Sequence, residues 1–463
     1  MIIVDEIQNI LARTDNIDDD AKGKTKRSAK ILKQIATFCN NTRFILLSAT
    51  PVYNQPDEIV SLVNLMNVND NRAQVRLHQI LDKNGEFQPE EVNQDGQVVV
   101  ESGRDLLKRK LIGYVSYVRG ENPYTFPFRL YPKDFDPDGD HLLPSIKYPT
   151  RLLNGVSINK EPAKHILNNL YITTIGEHQK LVYDAIVQES VEKYNLKEKN
   201  KFQFNILYGL NYVLNMTYPV EDSGEDNSKI HHGTLKKCMK YEVDRKDNYR
   251  IYDFEYQPWV LEKHGRIFDV NATLSQYSSK IHSICQAVQR SNGMVLIYSR
   301  YLEGGLLPMA LALEEMGFSR HCTVEKNGNL MKKSSSNPIK PFYVKSSDSD
   351  KPYLGKYAMI TGTTRFSPNN KRDLEMVFNK NNYDGKYVKV VLISEAGSEG
   401  IDFKFLRQIH IMDPWYNISR AEQIIGRGVR NKSHCMLPFE QRNVEIYMHA
   451  SVNPAERDMF GSS

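Results

Sequence analysis

Apolar runs alternate with stretches of helical period from the start of the chain to about residue 112. Such alternation is typical of an α/β layer, in which buried strands follow helices. The predicted elements are strands at residues 2–4 and 43–47 and helices at 28–39, 56–66 and 104–112. The run at 2–4 is β-branched and leads directly into two carboxylates, which predicts a buried strand.

The same alternation returns from residue 278 onward. The predicted elements are strands at 294–298, 357–361, 389–393 and 408–412, helices ending at residues 289, 316 and 379, and a helix at 418–427. This pattern predicts a second α/β domain of ordinary size.

The middle of the chain has a different character. Residues 113–149 are rich in Pro, Tyr and Phe with little helical period, which predicts extended segments that cross between domains. A helix is predicted at 176–194, and the Tyr- and Asn-rich insert at 199–263 predicts no chemistry. The predicted boundaries are 1–118 for the first α/β domain, 119–275 for the connector and insert, 276–450 for the second α/β domain and 451–463 for a tail.

Composition excludes several classes of protein. The 61 basic and 56 acidic residues leave a net charge of +5, which permits contact with nucleic acid but is no uniformly basic coat. No stretch approaches the roughly 20 apolar residues of a membrane span. The five cysteines stand singly, which argues against a disulfide framework or a paired zinc site and favours a reducing compartment.

Two adjacent carboxylates follow the first predicted strand. A magnesium-nucleotide hydrolase needs one acid to hold the metal, usually through water, and another to orient or deprotonate the attacking water. Asp5 fits the first role, Glu6 the second, and Gln8 can relay the nucleotide state to its neighbours. Taken alone, the same residues also fit a solvated turn after a strand.

A second strand ends in small hydroxyl residues some forty positions later. Ser48 and Thr50 lie in a tight turn after the strand at 43–47. Ligands bind at the carboxyl edge of open α/β sheets, where these hydroxyls would lie. An ordinary turn punctuated by Pro51 is the alternative interpretation.

Three polar residues near the end of the chain recur at helical spacing. Gln423, Arg427 and Arg430 are separated by four and three positions, which places them on one side of a helix end. Guanidinium groups there can stabilise a transferring phosphoryl group. The alternative is a basic helix end favoured by the helix dipole.

A glycine-bearing loop follows the strand at 389–393. Gly397 and Gly400 let backbone N–H groups approach a phosphate, and Ser394 can hydrogen-bond another. Asp402 can contact a ribose or one of the arginines. The loop precedes the arginine segment by about one βα unit.

These segments resemble, in order, motifs II to VI of superfamily-2 helicases. The matching stretches are residues 5–8, 48–50, 295–299, 394–402 and 423–430. Residues 177–183 and 413–417 are similar to the Swi/Snf-like branch, whose members are DNA-dependent ATPases. Residues 114–120, 126–129, 430–434 and 440–444 resemble helicases of nucleocytoplasmic large DNA viruses, which are related to the poxvirus transcription-associated nucleoside triphosphatase.

The resemblance implies two RecA-like parallel-sheet domains, the first incomplete, with an irregular connector and insert. It implies ATP and Mg²⁺ as cofactors, with Asp5 on the metal through water and Asp5, Gly400, Asp402, Arg427 and Arg430 around the nucleotide. Coupling to nucleic acid would involve Ser48, Thr50, Ser299, Ser394 and Gly397. The implied partners are nucleic acid, DNA rather than RNA, and the transcription machinery, with no membrane.

One family feature has no match in the expected place. Members of this family hold the phosphates with a Gly-Lys-Thr/Ser loop before motif II, where this sequence has four residues. Gly23-Lys24-Thr25 follows the carboxylates, lacks a strand that feeds it, and is interpreted as part of a solvated basic run. We therefore expect an N-terminally truncated fragment that is inactive alone.

Three hypotheses remain open at this point. The chain is a fragment of an ATP-dependent translocase or helicase, a catalytically inactive nucleic-acid-binding or assembly remnant, or one half of a split two-chain ATPase. The first rests on the expectation that the opening carboxylates and the closing arginines act on one triphosphate.

Overall fold

The structure is a computed structural model of the chain. It describes residues 1–11, 27–48, 51–52, 58–82, 86–93, 98–117, 122, 124–142, 169–194, 204–221, 234–246, 249–321, 325–326, 329–330, 354–362, 366–367, 370–395, 397, 400–413 and 418–453. The chain divides into two compact units. The first comprises Met1–Gly120 and Trp415–Gln423, and the second comprises Glu121–Pro414 and Ile424–Ser463.

The first unit contains a two-stranded parallel sheet covered by helices. Its elements are β1 (Ile2–Val4), α1 (Ile7–Leu11), α2 (Arg27–Phe38), β2 (Phe44–Leu46), α3 (Glu58–Asn69), α4 (Leu77–Ile80), β3 (Glu91–Val92), β4 (Val98–Val100) and α5 (Gly103–Leu111). Strands β1 and β2 pair in parallel, with Val4 opposite Leu46. Val4, Ile7 and Leu32 belong to the core that joins this sheet to the helices. Burial of these apolar side chains is what holds such short strands in place.

The second unit contains a larger set of elements. They are β5 (Phe128–Leu130), α6 (Pro132–Phe135), β6 (Leu170–Thr174), α7 (Glu177–Tyr194), α8 (Phe204–Asn215), α9 (Leu235–Cys238), β7 (Met239–Lys246), β8 (Tyr249–Tyr256), α10 (Pro258–His264), α11 (Leu274–Tyr277), α12 (Ser279–Arg290), β9 (Met294–Tyr298), α13 (Leu307–Met316), β10 (Phe318–His321), β11 (Glu325–Lys326), β12 (Asn329–Leu330), β13 (Gly355–Ile360), α14 (Asn370–Val377), β14 (Val390–Ile393), β15 (Leu406–Ile411) and β16 (Asn443–Val452). The residues of α15 (Ile418–Gly428) are divided between the units, up to Gln423 in the first and from Ile424 in the second.

An eight-stranded parallel sheet forms the centre of the second unit. The strand order is β10-β13-β14-β9-β15-β16-β5, and β6 also pairs with β16. Every side chain of β9 and β14 is buried. Continuous apolar runs such as Val390–Ile393 form this kind of strand because both sheet faces are covered. The α/β fold class predicted from the sequence is confirmed.

The stretch predicted as connector and insert takes part in this unit. Strands β5 and β6 both join the sheet through β16. From the insert, Met216, Tyr218 and Phe254 are buried in the same core as Val295 of the central strand. The Tyr and Asn content of the insert did not predict this buried apolar face. Tyrosines can nevertheless be buried, because their rings pack in the core while their hydroxyls form hydrogen bonds.

A buried ion pair fastens the insert to α13. Arg266 contacts the carboxylate of Glu315 at 2.9 Å, and the Glu315 side chain is 1% exposed. The hydroxyl of Tyr256 donates a hydrogen bond to the same carboxylate at 3.2 Å. Three donors on one buried carboxylate stabilise it in a place where an isolated charge would be costly.

We expect Arg266→Ala to destabilise the protein by about 2 kcal/mol, because it removes a charged partner from the buried Glu315 carboxylate. Arg266 is 38% exposed, which keeps the loss below that of a fully buried pair. Urea denaturation would measure the change, with the exposed Lys263→Ala as the matched control. An unchanged midpoint in Arg266→Ala would mean that this ion pair contributes nothing.

Three buried histidines lie in the second unit. Burial lowers the pKa of His410 to about 3, that of His434 to about 4 and that of His449 well below its usual value. Nδ1 of His410 lies 3.0 Å from Nε2 of His449. Each ring is therefore neutral in the folded protein at neutral pH.

We expect stability to fall steeply below about pH 6.5, where the unfolded histidines take up protons and the folded ones do not. Asp413 acts in the opposite direction, since burial raises its pKa to about 6 and the folded state gains that proton first. The net difference of roughly two protons corresponds to about 2.7 kcal/mol per pH unit between about pH 6 and 5.

Urea denaturation at several pH values would measure this slope. His410→Gln removes one buried ring and should reduce the slope by about 1.4 kcal/mol per pH unit. The exposed His78→Gln should leave it unchanged. Equal slopes for all three proteins would contradict the assignment to buried histidines.

Among the described residues, no helix is long and apolar enough to cross a membrane.

Candidate functional site

The predicted carboxylates lie where β1 ends and α1 begins. Asp5 is exposed and Glu6 is half-buried. Glu6 has φ 51°, a left-handed conformation that costs a non-glycine residue about 1 kcal/mol or more. Its N–H donates to Oδ1 of Asp5 at 3.0 Å. This sharp turn places both carboxylates at the carboxyl edge of the sheet.

Hydrogen bonds between side chains join the two polar segments of the first unit. Oγ of Ser48 donates to Oε1 of Gln8 at 2.6 Å, and Nε2 of Gln8 donates to the Glu6 carboxylate. Gln8 is 3% exposed, so its amide is fixed by these two partners. The N–H of Ile7 also donates to the Leu47 carbonyl at 3.1 Å. The structure thus brings Glu6, Gln8 and Ser48 together, whereas Thr50 lies outside the described residues.

This arrangement can hold one carboxylate steady beside another that faces solvent. Glu6 is oriented by Gln8, and Asp5 extends into solvent. In the described part of the chain, no group of three or more His, Cys, Asp or Glu could hold a metal ion. A single exposed carboxylate such as Asp5 can contact a Mg²⁺ ion through water.

The glycine loop begins at the end of β14. Ser394 is 7% exposed, and its Oγ accepts a hydrogen bond from the Gly397 N–H at 3.3 Å. A Cβ at Gly397 would lie 2.3 Å from the Ile360 carbonyl oxygen, so glycine is required for this close approach. Gly400 has φ +69° with open space around it. Backbone of this kind can approach an anion closely.

Both predicted arginines contact one carboxylate of the second unit. Nη2 of Arg430 lies 2.7 Å from Oδ1 of Asp402, and Nη1 of Arg427 lies 3.8 Å from the same atom. The side chains of Arg427, Arg430 and Asp402 are 21%, 46% and 59% exposed. Such exposed pairs are worth little stability, so an anionic ligand can replace the carboxylate at low cost.

Backbone packing fixes the end of the arginine helix. The N–H of Phe403 donates to the Arg427 carbonyl at 2.8 Å. A Cβ at Gly428 would lie 2.7 Å from Leu406 and 2.8 Å from Ile409, so the helix approaches the sheet at a glycine. Gln423 is half-buried on the same helix. Arg427 and Arg430 are therefore presented from a rigid position.

Ser299 lies in a buried polar cluster that the sequence did not predict. Its Oγ donates to Oδ1 of Asp413 at 2.5 Å, and the Arg300 N–H donates to Oδ2 of Asp413 at 2.8 Å. Asn215 Nδ2 donates to Oδ1 of Asp413 at 3.1 Å, and Lys280 Nζ donates to Oδ1 of Asn215 at 3.1 Å. Through Asn215, the insert therefore contacts the carboxylate that also binds Ser299 of a predicted motif.

Burial shifts both charged groups of this cluster. It raises the pKa of Asp413 to about 6 and lowers that of Lys280 to about 8. The Arg300 side chain also approaches Glu395 of the glycine loop, with Nε 3.7 Å from the carboxylate. Asn215, Lys280 and Arg300 were missed because each lies outside a recognisable motif, and chain folding alone brings them together.

Comparison with known proteins agrees with these motifs. Residues 279–432 match the model of the helicase conserved C-terminal domain. A protein of Acanthamoeba polyphaga mimivirus that carries the name of an ATP-dependent RNA helicase is 26% identical over 98% of this chain and 60% of its own length. An African swine fever virus protein named termination factor NPH-I homolog is 24% identical over 100% of this chain and 57% of its own length.

A second mimivirus protein with an ATP-dependent RNA helicase name is 30% identical over 48% of this chain and 41% of its own length. The C-terminal part of the Fun30 ATPase domain, a solved structure, matches 60% of this chain and 84% of its own with a TM-score of 0.31 and 14% identity. The chain spans less than two thirds of these viral relatives. The match to the helicase C-terminal domain and the names of these viral relatives support a superfamily-2 helicase of large DNA viruses.

Proposed function

We propose that the chain is the motor portion of an ATP-dependent nucleic-acid translocase or helicase that serves viral transcription or DNA processing. The observation that carries the proposal is the gathering of Arg427 and Arg430 on one exposed carboxylate at a helix end. Two guanidiniums held this way are suited to the equatorial oxygens of a transferring phosphoryl group. A purely structural ion pair would not need two guanidinium groups on one exposed carboxylate.

In the proposed reaction two sets of side chains act on ATP. Glu6, held by the amide of Gln8, orients and deprotonates the attacking water. Arg427 and Arg430 exchange Asp402 for phosphate oxygens, and so stabilise the charge of the transition state. When bound at Asp5, Mg²⁺ would supply charge neutralisation of the β- and γ-phosphates.

The hydrogen bond between Ser48 and Gln8 supports a coupling role. Any displacement of Glu6 on hydrolysis reaches Ser48 through a single fixed amide. Ser394 and Gly397 would act on the nucleic acid or the nucleotide through the glycine loop, and Ser299 through its contact with Asp413. We propose DNA rather than RNA as the polymer, although the names of the viral relatives include RNA helicase.

We further propose that the phosphates are held by a loop other than Gly23-Lys24-Thr25. Those three residues lie outside the described part of the chain. Their position after the carboxylates, rather than before them, is what argues against them.

ATP hydrolysis with single-stranded DNA, duplex DNA and RNA tests this function. The protein is expected to hydrolyse ATP and to be stimulated most by DNA, and Lys24→Ala should leave its rate unchanged. No hydrolysis with any polymer would overturn the proposal and favour an inactive binding remnant. Activity that appears only after addition of a second polypeptide would instead favour half of a split ATPase.

A further inference from the structure

A buried cluster connects the insert to the segment that leads into the arginine helix. Asn215 comes from the end of α8, Lys280 from the start of α12, Ser299 from the end of β9 and Asp413 from the end of β15. Their exposed fractions are 0%, 3%, 0% and 6%. Groups this buried have no alternative hydrogen bonds to water, so each contact is obligatory.

Asn215 separates and satisfies two opposite charges. Its amide nitrogen donates to the Asp413 carboxylate at 3.1 Å, and its amide oxygen accepts from Lys280 at 3.1 Å. Lys280 also donates to the Met412 carbonyl at 2.8 Å, one residue before Asp413. The cluster therefore fixes both the backbone and the side chain at the end of β15.

The Asp413 carboxylate in turn holds the neighbouring strand end. It accepts from Ser299 Oγ at 2.5 Å and from the backbone N–H of Arg300 at 2.8 Å. Arg300 reaches Glu395 of the glycine loop at 3.7 Å. Residues 414–417 separate Asp413 from Ile418, where α15 begins.

We propose that Asp413 is a positioning residue, held by Asn215 and Lys280, that fixes the Ser299–Arg300 backbone and thereby directs the Arg300 side chain toward Glu395 of the glycine loop. Its importance for turnover rests on the proposed function of that loop. The insert, through Asn215, then contributes to the site rather than merely enlarging the core.

Amide hydrogen exchange of the full chain, read by mass spectrometry, tests this role without any use of hydrolysis. In Asp413→Asn, peptides that cover 299–306 should exchange at least about tenfold faster than in the wild type. Peptides of β10 and β13, at the far side of the sheet, should change little. A uniform rise that follows the global loss of stability would overturn the proposal and indicate a merely structural role.

Two further variants separate positioning from packing. Asn215→Ala removes the bridge while it keeps both charges, so it should reproduce the local increase in the same peptides. It also decides the question alone if Asp413→Asn does not fold. Gln408→Leu is the matched control, because Gln408 is buried on the same strand but bonds Glu445 at 2.8 Å. Equal exchange at 299–306 in Asn215→Ala and the wild type would contradict the proposal.

Discussion

Replacement of Arg430 by alanine is expected to lower the rate of ATP hydrolysis by about 1,000-fold or more, because an arginine that stabilises the transferring phosphoryl group is worth about 10³ to 10⁵ in rate. Nucleic-acid affinity should stay within about twofold, since Arg430 pairs with Asp402 rather than with a polymer contact. Steady-state hydrolysis by the protein, together with a DNA-binding titration, would measure both quantities.

Two controls sharpen this prediction. Arg430→Lys keeps the charge but loses the planar fork, so it should restore only part of the rate. Lys432→Ala removes a nearby exposed cation and should leave hydrolysis unchanged. If Arg430→Ala hydrolysed ATP as fast as the wild type, the arginine assignment would be wrong, whatever the effect on DNA binding.

Glu6→Gln is expected to lower the rate of hydrolysis by about 10² to 10⁴, the usual contribution of a positioned general base. Glutamine has the same shape as glutamate and can still accept the hydrogen bond from Gln8, so the turn after β1 should persist. ATP affinity should change by no more than about threefold, because the loss concerns the attacking water. Rapid-quench kinetics with a nucleotide-binding titration would separate the two effects.

Glu91→Gln, on an exposed strand of the same unit, is the matched control and should leave the rate of hydrolysis unchanged. A Glu6→Gln protein that lost ATP affinity but kept its rate once saturated would contradict the general-base role. It would instead make Glu6 a binding residue.

Most of the fold was predictable from the sequence because the apolar runs are long and continuous where strands are buried on both faces. Residues 294–298 and 390–393 are such runs, and both are central strands. Strands β5 and β6 were not predicted. Strand β5 has three residues and lies between Pro127 and Pro132, while β6 follows two asparagines. Both join the sheet by pairing with β16.

The candidate site was predictable where its residues are adjacent in sequence. Asp5, Glu6 and Gln8 stand together, and the arginines recur at helical spacing, so local pattern was enough to select them. Asn215 and Lys280 could not be selected in this way. Asn215 is 198 positions from Asp413, and Lys280 is 132 positions from Met412, whose carbonyl it contacts. These contacts depend on the packing of three elements.

The central claim is that Arg427 and Arg430 act on the transferring phosphoryl group of ATP. An ATP analogue with a photoreactive group on the γ-phosphate, bound to the protein, tests it most directly when the labelled peptides are mapped by mass spectrometry. We predict label within residues 423–430, lost on competition with ATP. Absence of label from this segment would contradict the account.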